Sequence, residues 1–225
     1  MKKNIFIPIV ILILFFSSMV KAESVTVSTL KELAFYAAKS NNKITLKAGK
    51  YRLVDYLNAD SIQAKVLRKD YQYLKFTGDN NTFIFTGVEI EIDTHLRERL
   101  KFPIHTSEIM VTGMGNTLVG LTITSTGNGL SPGGATFEVA GERNNIRDFT
   151  IHVQGSFPYG YGDLFGKGGP DVIRHQKQSG FLITGSHTSV LGCKLYMRSF
   201  GHGFYMQKNA GDIYFEDCYV EGEVR

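Results

Sequence analysis

One spacing of glycine, asparagine and apolar residues recurs along the chain and constrains it more than any single motif. Reading from Gly113, an asparagine falls three residues on at Asn116, and apolar residues fall at Leu118, Leu121 and Ile123. Gly141 repeats every step with Asn144, Ile146, Phe149 and Ile151, and Gly185 does so with Thr188, Val190, Cys193 and Leu195. Gly78 opens an earlier copy with Asn81 and Phe83, after which the pattern merges into the alternating run Ile84–Ile92. Such self-similarity marks a repeat architecture. The apolar residues lie two or three apart and are rich in Val, Ile, Leu and Phe, so each unit reads as short strands with glycine at the bends. A strand pair this short cannot bury an inner face alone, which predicts that each unit is one turn of a coil stacked on the one before. The asparagines would then form a row at about the strand spacing of 4.8 Å, with each amide donating to a neighbouring carbonyl. The competing reading is that asparagine simply favours turns.

These residues resemble the pectate-lyase-like family, most clearly over Tyr73–Gly222. The fold expected is therefore all-β: a right-handed parallel β-helix, or solenoid, with an N-terminal capping helix. That helix is predicted from the capping box Thr29-Leu-Lys-Glu32 and from Leu30, Leu33, Ala34 and Ala37 on one face. Residues 52–72 are charged and irregular and read as an excursion from the first coil. The coils run up to Arg225 without a visible terminal cap, so the expected domain, 23–225, either lacks its C-terminal coils or has its last edge covered by a partner.

Residues 1–22 combine Met-Lys-Lys-Asn, the apolar run Ile5–Val20, and Val20 and Ala22 at a cleavage site. This is the pattern of a secretory signal peptide. The run is shorter than the ~20 residues a span needs, and no lipobox cysteine follows, so a secreted or periplasmic protein without a membrane span after signal removal is expected. Three of the 25 lysines and arginines lie in that segment and no acid does, so the remainder nearly balances the 21 acids. A near-neutral chain gives no support to nucleic-acid binding. Cys193 and Cys218 sit in matching contexts about one coil apart. Export permits a disulfide, but stacked Cβ atoms at about 4.8 Å exceed the roughly 3.5–4.5 Å of a relaxed bridge, which favours two thiols.

Several stretches are candidates for chemistry. Glu89, Glu91 and Asp93 alternate with Ile90 and Ile92 and so share one face of a strand, either as hard oxygens suited to Ca2+ or as a solvated outer face; no cofactor or metal site is otherwise indicated. The long interval Gly155–Gly180 interrupts the repeat and carries Phe157, Tyr159, Tyr161 and Phe165 before Arg174-His175-Gln-Lys177. Long loops of this kind are usually functional or disordered, and the aromatic content speaks against disorder.

Gly201-His202-Gly203 resembles the histidine motif of polygalacturonases, but Gln178-Ser179 stands where that family has an aspartate pair. Hydrolysis needs two carboxylates, so a polygalacturonase-like hydrolase is disfavoured. β-Elimination from a uronic-acid sugar needs a cation, a base and an acid instead. The residues expected to carry it are His202, Arg174 and Lys177, with His175, Tyr159, Tyr161, Tyr205 and Lys208 binding substrate. Two function classes follow: an exported β-helix protein that binds an anionic polysaccharide, either cleaving it as a polysaccharide lyase-like enzyme or only binding it, and a non-catalytic structural or adhesive protein in which these are ordinary loop residues.

Overall fold

A computed structural model describes residues 23–103, 105–127, 129–131, 133–155, 177–207 and 209–222. In chain order the first half comprises β1 (Glu23–Val27), α1 (Leu30–Ala37), β2 (Asn42–Leu46), β3 (Gly49–Arg52), α2 (Leu53–Tyr56), α3 (Ala59–Arg68), β4 (Leu74–Phe76), β5 (Thr82–Asp93), α4 (Leu96–Arg99) and β6 (Ile109–Val111). The second half comprises β7 (Thr117–Thr126), β8 (Gly134–Val139), β9 (Asn145–Arg147), β10 (Thr150–Gln154), β11 (Gln178–Ile183), β12 (Ser189–Leu191), β13 (Lys194–Arg198), β14 (Phe204–Met206), β15 (Tyr214–Glu216) and β16 (Tyr219–Gly222).

The strands form two sheets. One has the order β1-β2-β5-β7-β10-β13-β16, with β3 beside β5 and a branch through β9, β12 and β15; the other has the order β14-β11-β8-β6-β4. Parallel register sets like residues side by side. In the first sheet Ile44 faces Phe83, then Leu118, Ile146, Val190 and Phe215. A second row runs Ile90, Ile123, Ile151, Leu195 and Val220. Across the other sheet runs Leu74, Ile109, Phe137, Phe181 and Phe204. These rows meet between the sheets, where Leu118, Leu121, Ile123, Ile146, Phe149, Ile151, Val190, Cys193 and Leu195 are all buried. Because the side-chain period of a strand is two, a slip of one residue would turn a whole row outward, so the rows lock the register.

The asparagine row forms. The backbone N–H of Asn42 donates to Asn81 Oδ1 at 2.8 Å, that of Asn81 to Asn116 Oδ1 at 2.9 Å, and that of Asn116 to Asn144 Oδ1 at 2.9 Å. Each amide nitrogen donates in turn to a carbonyl one repeat earlier: Asn81 to Lys39, Asn116 to Gly78 and Asn144 to Gly113. The repeated glycine belongs to the same device. A Cβ at Gly113 would lie 2.0 Å from the Gly78 carbonyl oxygen, and one at Gly141 2.0 Å from that of Gly113. Only a residue without a side chain allows the turns to approach this closely.

α1 closes on its capping box, with the Glu32 N–H donating to Thr29 Oγ1 and the Thr29 N–H to Glu32 Oε2, each at 3.1 Å, and it buries Leu30, Leu33 and Ala37. Three further helices follow, which corrects the expected fold. The chain is not an all-β, right-handed parallel β-helix solenoid of the pectin lyase fold with one capping helix. It is an α/β arrangement of two sheets, parallel throughout their described pairs, with helices interspersed. The excursion over 52–72 hid two of these helices, because its charges obscured the apolar stripe. α3 starts on the Asn58 side chain, which accepts from the Ser61 N–H at 2.9 Å, ends at the left-handed Lys69, and buries only Ile62 and the Lys65 stem. α4 escapes notice because it is one turn long. Among the described residues no helix is long and apolar enough to cross a membrane.

Candidate functional site

On the outer face of the second sheet lies a cleft of about 410 Å³, lined by His105, Glu138, Lys177, Ser179, His202 and Tyr205 among others. The sheet positions them. Lys177 immediately precedes β11 and His202 lies two residues before β14; the Gly180 N–H donates to the His202 carbonyl and the Gln178 N–H to that of Phe200, both at 2.9 Å. The two cation-forming side chains therefore start adjacent strands. His105 reaches the same level from the β6 side, its Nδ1 3.1 Å from the Gly133 carbonyl oxygen. Further along the strands the outward row is Met110, Glu138, Leu182 and Tyr205.

Beneath the strand starts the backbone is pinned by buried polar contacts. Gln178 is fully buried: its Oε1 accepts from Ser131 Oγ at 2.7 Å, its Nε2 donates to Thr136 Oγ1 at 3.1 Å, and its carbonyl accepts from Ser199 Oγ at 2.8 Å. Deeper still, Arg97 Nε donates to Glu108 Oε1 at 2.7 Å, and its other nitrogens reach the Gly129 and Gln154 carbonyls. Burial pushes the Glu108 carboxyl up, with Arg97 opposing. This pair joins α4 to the second sheet and stands away from the cleft lining.

His202 is the most clearly tuned group in the cleft. Its ring stacks on Tyr205, with centroids 4.7 Å apart at 26°. Partial burial first, and the charge of Lys177 second, hold its pKa below the ordinary histidine value, so the imidazole is neutral near pH 7 and can take up a proton. Lys177 lies over the Phe200 ring, its Nζ 5.4 Å from the centroid, and has no ion-pair partner among the described residues. Glu138 is 8% exposed; one oxygen accepts from Thr184 Oγ1 at 2.9 Å, and the residue lines the cleft.

Of the residues expected from sequence, His202, Lys177 and Tyr205 come together here. Arg174, His175, Tyr159, Tyr161 and Lys208 lie outside the described residues. The glycines flanking His202 have a packing cause: a Cβ at Gly201 would lie 2.2 Å from the Gln178 carbonyl oxygen, and one at Gly203 2.6 Å from a Val220 methyl. The two glycines of the Gly-His-Gly motif thus report stacking rather than chemistry. Sequence reasoning missed Glu138 and His105. Glu138 was legible as the lone acid in the alternating stretch Ala135-Thr-Phe-Glu-Val139, whereas His105 sits in an irregular loop that gives no signal.

The other candidates are neutralised. Register sets Lys50 opposite Glu89 and Arg52 opposite Glu91. Lys50 bridges to Glu91 at 2.8 Å and Glu89 at 3.6 Å, and Arg52 to Glu91 at 3.4 Å. Among the described residues no group of three or more His, Cys, Asp or Glu is placed to hold a metal ion. A larger cleft, about 620 Å³, lies between α1, β3 and the start of α3, but Lys50 and Arg52 in its wall are engaged in these pairs. The smaller cleft, with a cation that has no ion-pair partner among the described residues and a tuned imidazole, is the better candidate.

No family model and no curated protein matches the chain. Solved structures do match, among them one from Parabacteroides merdae ATCC 43184 described as a "putative glycosyl hydrolase". It is 9% identical over 81% of this chain and 73% of that one, with a TM-score of 0.44. A likeness this distant carries no argument about activity.

Proposed function

We propose that the cleft on the second sheet binds an acidic polysaccharide and that β-elimination is the reaction its groups are equipped to perform. The observation that carries this is that Lys177 and His202, two residues apart in register at adjacent strand starts, line one cleft, with Tyr205 stacked on the imidazole. Lys177 neutralises a sugar carboxylate, which makes the neighbouring C–H acidic. Neutral His202 takes that proton; the C–H pair becomes the new double bond as the glycosidic C–O bond breaks, and the Tyr205 hydroxyl hands a proton to the departing oxygen. Hydrolysis by a carboxylate pair lacks its second member, since Glu138 is the one carboxylate among the described lining residues.

The test follows ultraviolet absorbance of the new double bond while the chain is incubated with a panel of anionic polysaccharides, alongside calorimetric binding. His202→Ala is expected to abolish the absorbance and leave most of the binding. Binding without any absorbance from the wild-type chain would leave a non-catalytic binding protein, and neither signal would defeat the reading altogether.

A further inference from the structure

The cleft is electrically lopsided along the strand direction. At the strand starts stand Lys177, His202 and His105. Glu138 lies five residues beyond Gly133, the neighbour of Gly134, which pairs with Gln178 next to Lys177. At about 3.3 Å per residue this places the Glu138 Cα roughly 16 Å along from the level of Lys177. Side chains reaching inward from both ends leave room for a disaccharide. Around Glu138 the described lining is Leu182, Tyr205 and Gln207, with no cation among them. One Glu138 oxygen is satisfied by Thr184, and the other has no hydrogen bond among the described residues, so the residue can accept one from a bound ligand.

We infer that Glu138 sets the specificity of the cleft for a heteropolysaccharide in which an acidic sugar alternates with a neutral, hydroxylated one. This rests on the acidic-saccharide reading above and narrows it. The acidic unit lies against Lys177 and His202. The neighbouring unit lies against Glu138, where a carboxylate accepts hydroxyl donors and repels a second anion. No cation stands at that end among the described lining residues to offset that repulsion, whereas a neutral sugar supplies donors the carboxylate needs. A uniform polyuronate, anionic at every unit, therefore fits worse than an alternating chain of equal length.

The experiment compares binding of a hyaluronan tetrasaccharide, which alternates acidic and neutral units, with that of a tetragalacturonate, using the full chain and its Glu138→Gln and Lys177→Ala variants. The wild type should prefer the alternating ligand. E138Q keeps the shape but removes the charge, so it should bind the alternating ligand about tenfold more weakly, because a charged hydrogen bond is lost. It should bind the uniform polyuronate about fivefold more tightly, because the repulsion is gone. K177A should weaken both. If K177A weakens both ligands while E138Q changes neither, or changes both by the same factor with an unchanged circular-dichroism spectrum, the specificity role of Glu138 is overturned and the acidic-saccharide reading stands. If K177A changes neither, that reading fails and this inference falls with it.

Discussion

Two rows of polar side chains run across the strands, and they differ in where their hydrogen bonds end. The asparagine row is closed: Asn81, Asn116 and Asn144 are all buried, Asn81 and Asn116 each pass one bond to the next repeat, and all three pass one to the repeat before. The second row brings His105 and Lys177 to one level and His202 two residues further along, and leaves these side chains in a cleft. Stacking by itself therefore gives stability where the partners are internal. Where the partners must come from outside, it leaves polar groups open to a ligand, as the proposed binding requires.

The sharpest way to break this contrast is to remove one member of each row. Asn116→Ala leaves the buried Asn81 N–H without an acceptor and the Gly78 carbonyl without its amide donor. The expected loss is about 3 kcal/mol in urea unfolding, since each buried orphan costs ~1–3 kcal/mol. Lys177→Ala removes an exposed cation without an ion-pair partner among the described residues, so a change within about 0.5 kcal/mol is expected. Similar losses from both substitutions would erase the distinction between a closed row and an open one.

Ligand binding should invert that order. Lys177→Ala is expected to weaken an anionic oligosaccharide about tenfold, as loss of a charge-assisted contact requires, while Asn116→Ala, measured at a temperature where it is still folded, should leave binding unchanged. Titration calorimetry decides this. An Asn116 variant that binds as poorly as the Lys177 variant would mean that the two rows are mechanically coupled.

How much of this was legible follows from what each residue answers to. The asparagines, the close-approach glycines and the inward rows answer to neighbours at a fixed offset, so periodicity alone placed Leu118, Ile123, Ile151 and Leu195 in the interior. Lys177, His202 and Tyr205 were found because they sit beside strands whose register the repeat fixes. The helices were misjudged for the opposite reason. α3 meets the interior through little more than Ile62 and the Lys65 stem, whose Nζ donates to Asp70 at 2.9 Å and the Gln72 carbonyl at 2.7 Å, so its sequence looks solvated. Arg97 reads as surface charge next to Glu98 and Arg99, yet it is 1% exposed against Glu108, a partner that no local pattern announces. The acidic strand face looked like a cation site because Lys50 and Arg52 lie far from it in sequence.

The pH response sharpens the contrast from the side of the open row. His202 has a folded pKa below its ordinary value, so the unfolded chain takes up this proton first. Its contribution to stability is thus intact above about pH 6.5 and is lost as pH falls toward the folded value. The effect is small, because the ring keeps access to water. Anion binding should move the other way, tightening as His202 gains charge, while elimination slows because the base is consumed. Imidazole chemical shifts against pH, with affinity and rate on the same samples, check all three. A His202 titration at or above the ordinary value would remove the neutral base from the proposal.

The smallest expected effect separates two residues that the repeat treats as equivalents. Cys193 and Cys218 each immediately precede a strand, and the pairing of Lys194 with Tyr219 brings them to the same level on adjacent strands. Both are free thiols, Cys193 buried and Cys218 partly accessible. Burial pushes the Cys193 thiol up to about 12, and its sulfur lies 3.5 Å from the Leu191 carbonyl oxygen. Cys218 occupies the same place against the Glu216 carbonyl, 3.4 Å away, but the wall beyond it is formed by β15 and β16, where Tyr214, Tyr219 and Val220 are exposed. Only the thiolate reacts with an alkylating reagent. At pH 8 the folded chain should therefore be labelled at Cys218 and spared at Cys193, with both thiols reacting once denaturant is added. Equal labelling in the folded state would show that the interior is open at β13, and absence of any free thiol after denaturation would show that the two sulfurs are bridged.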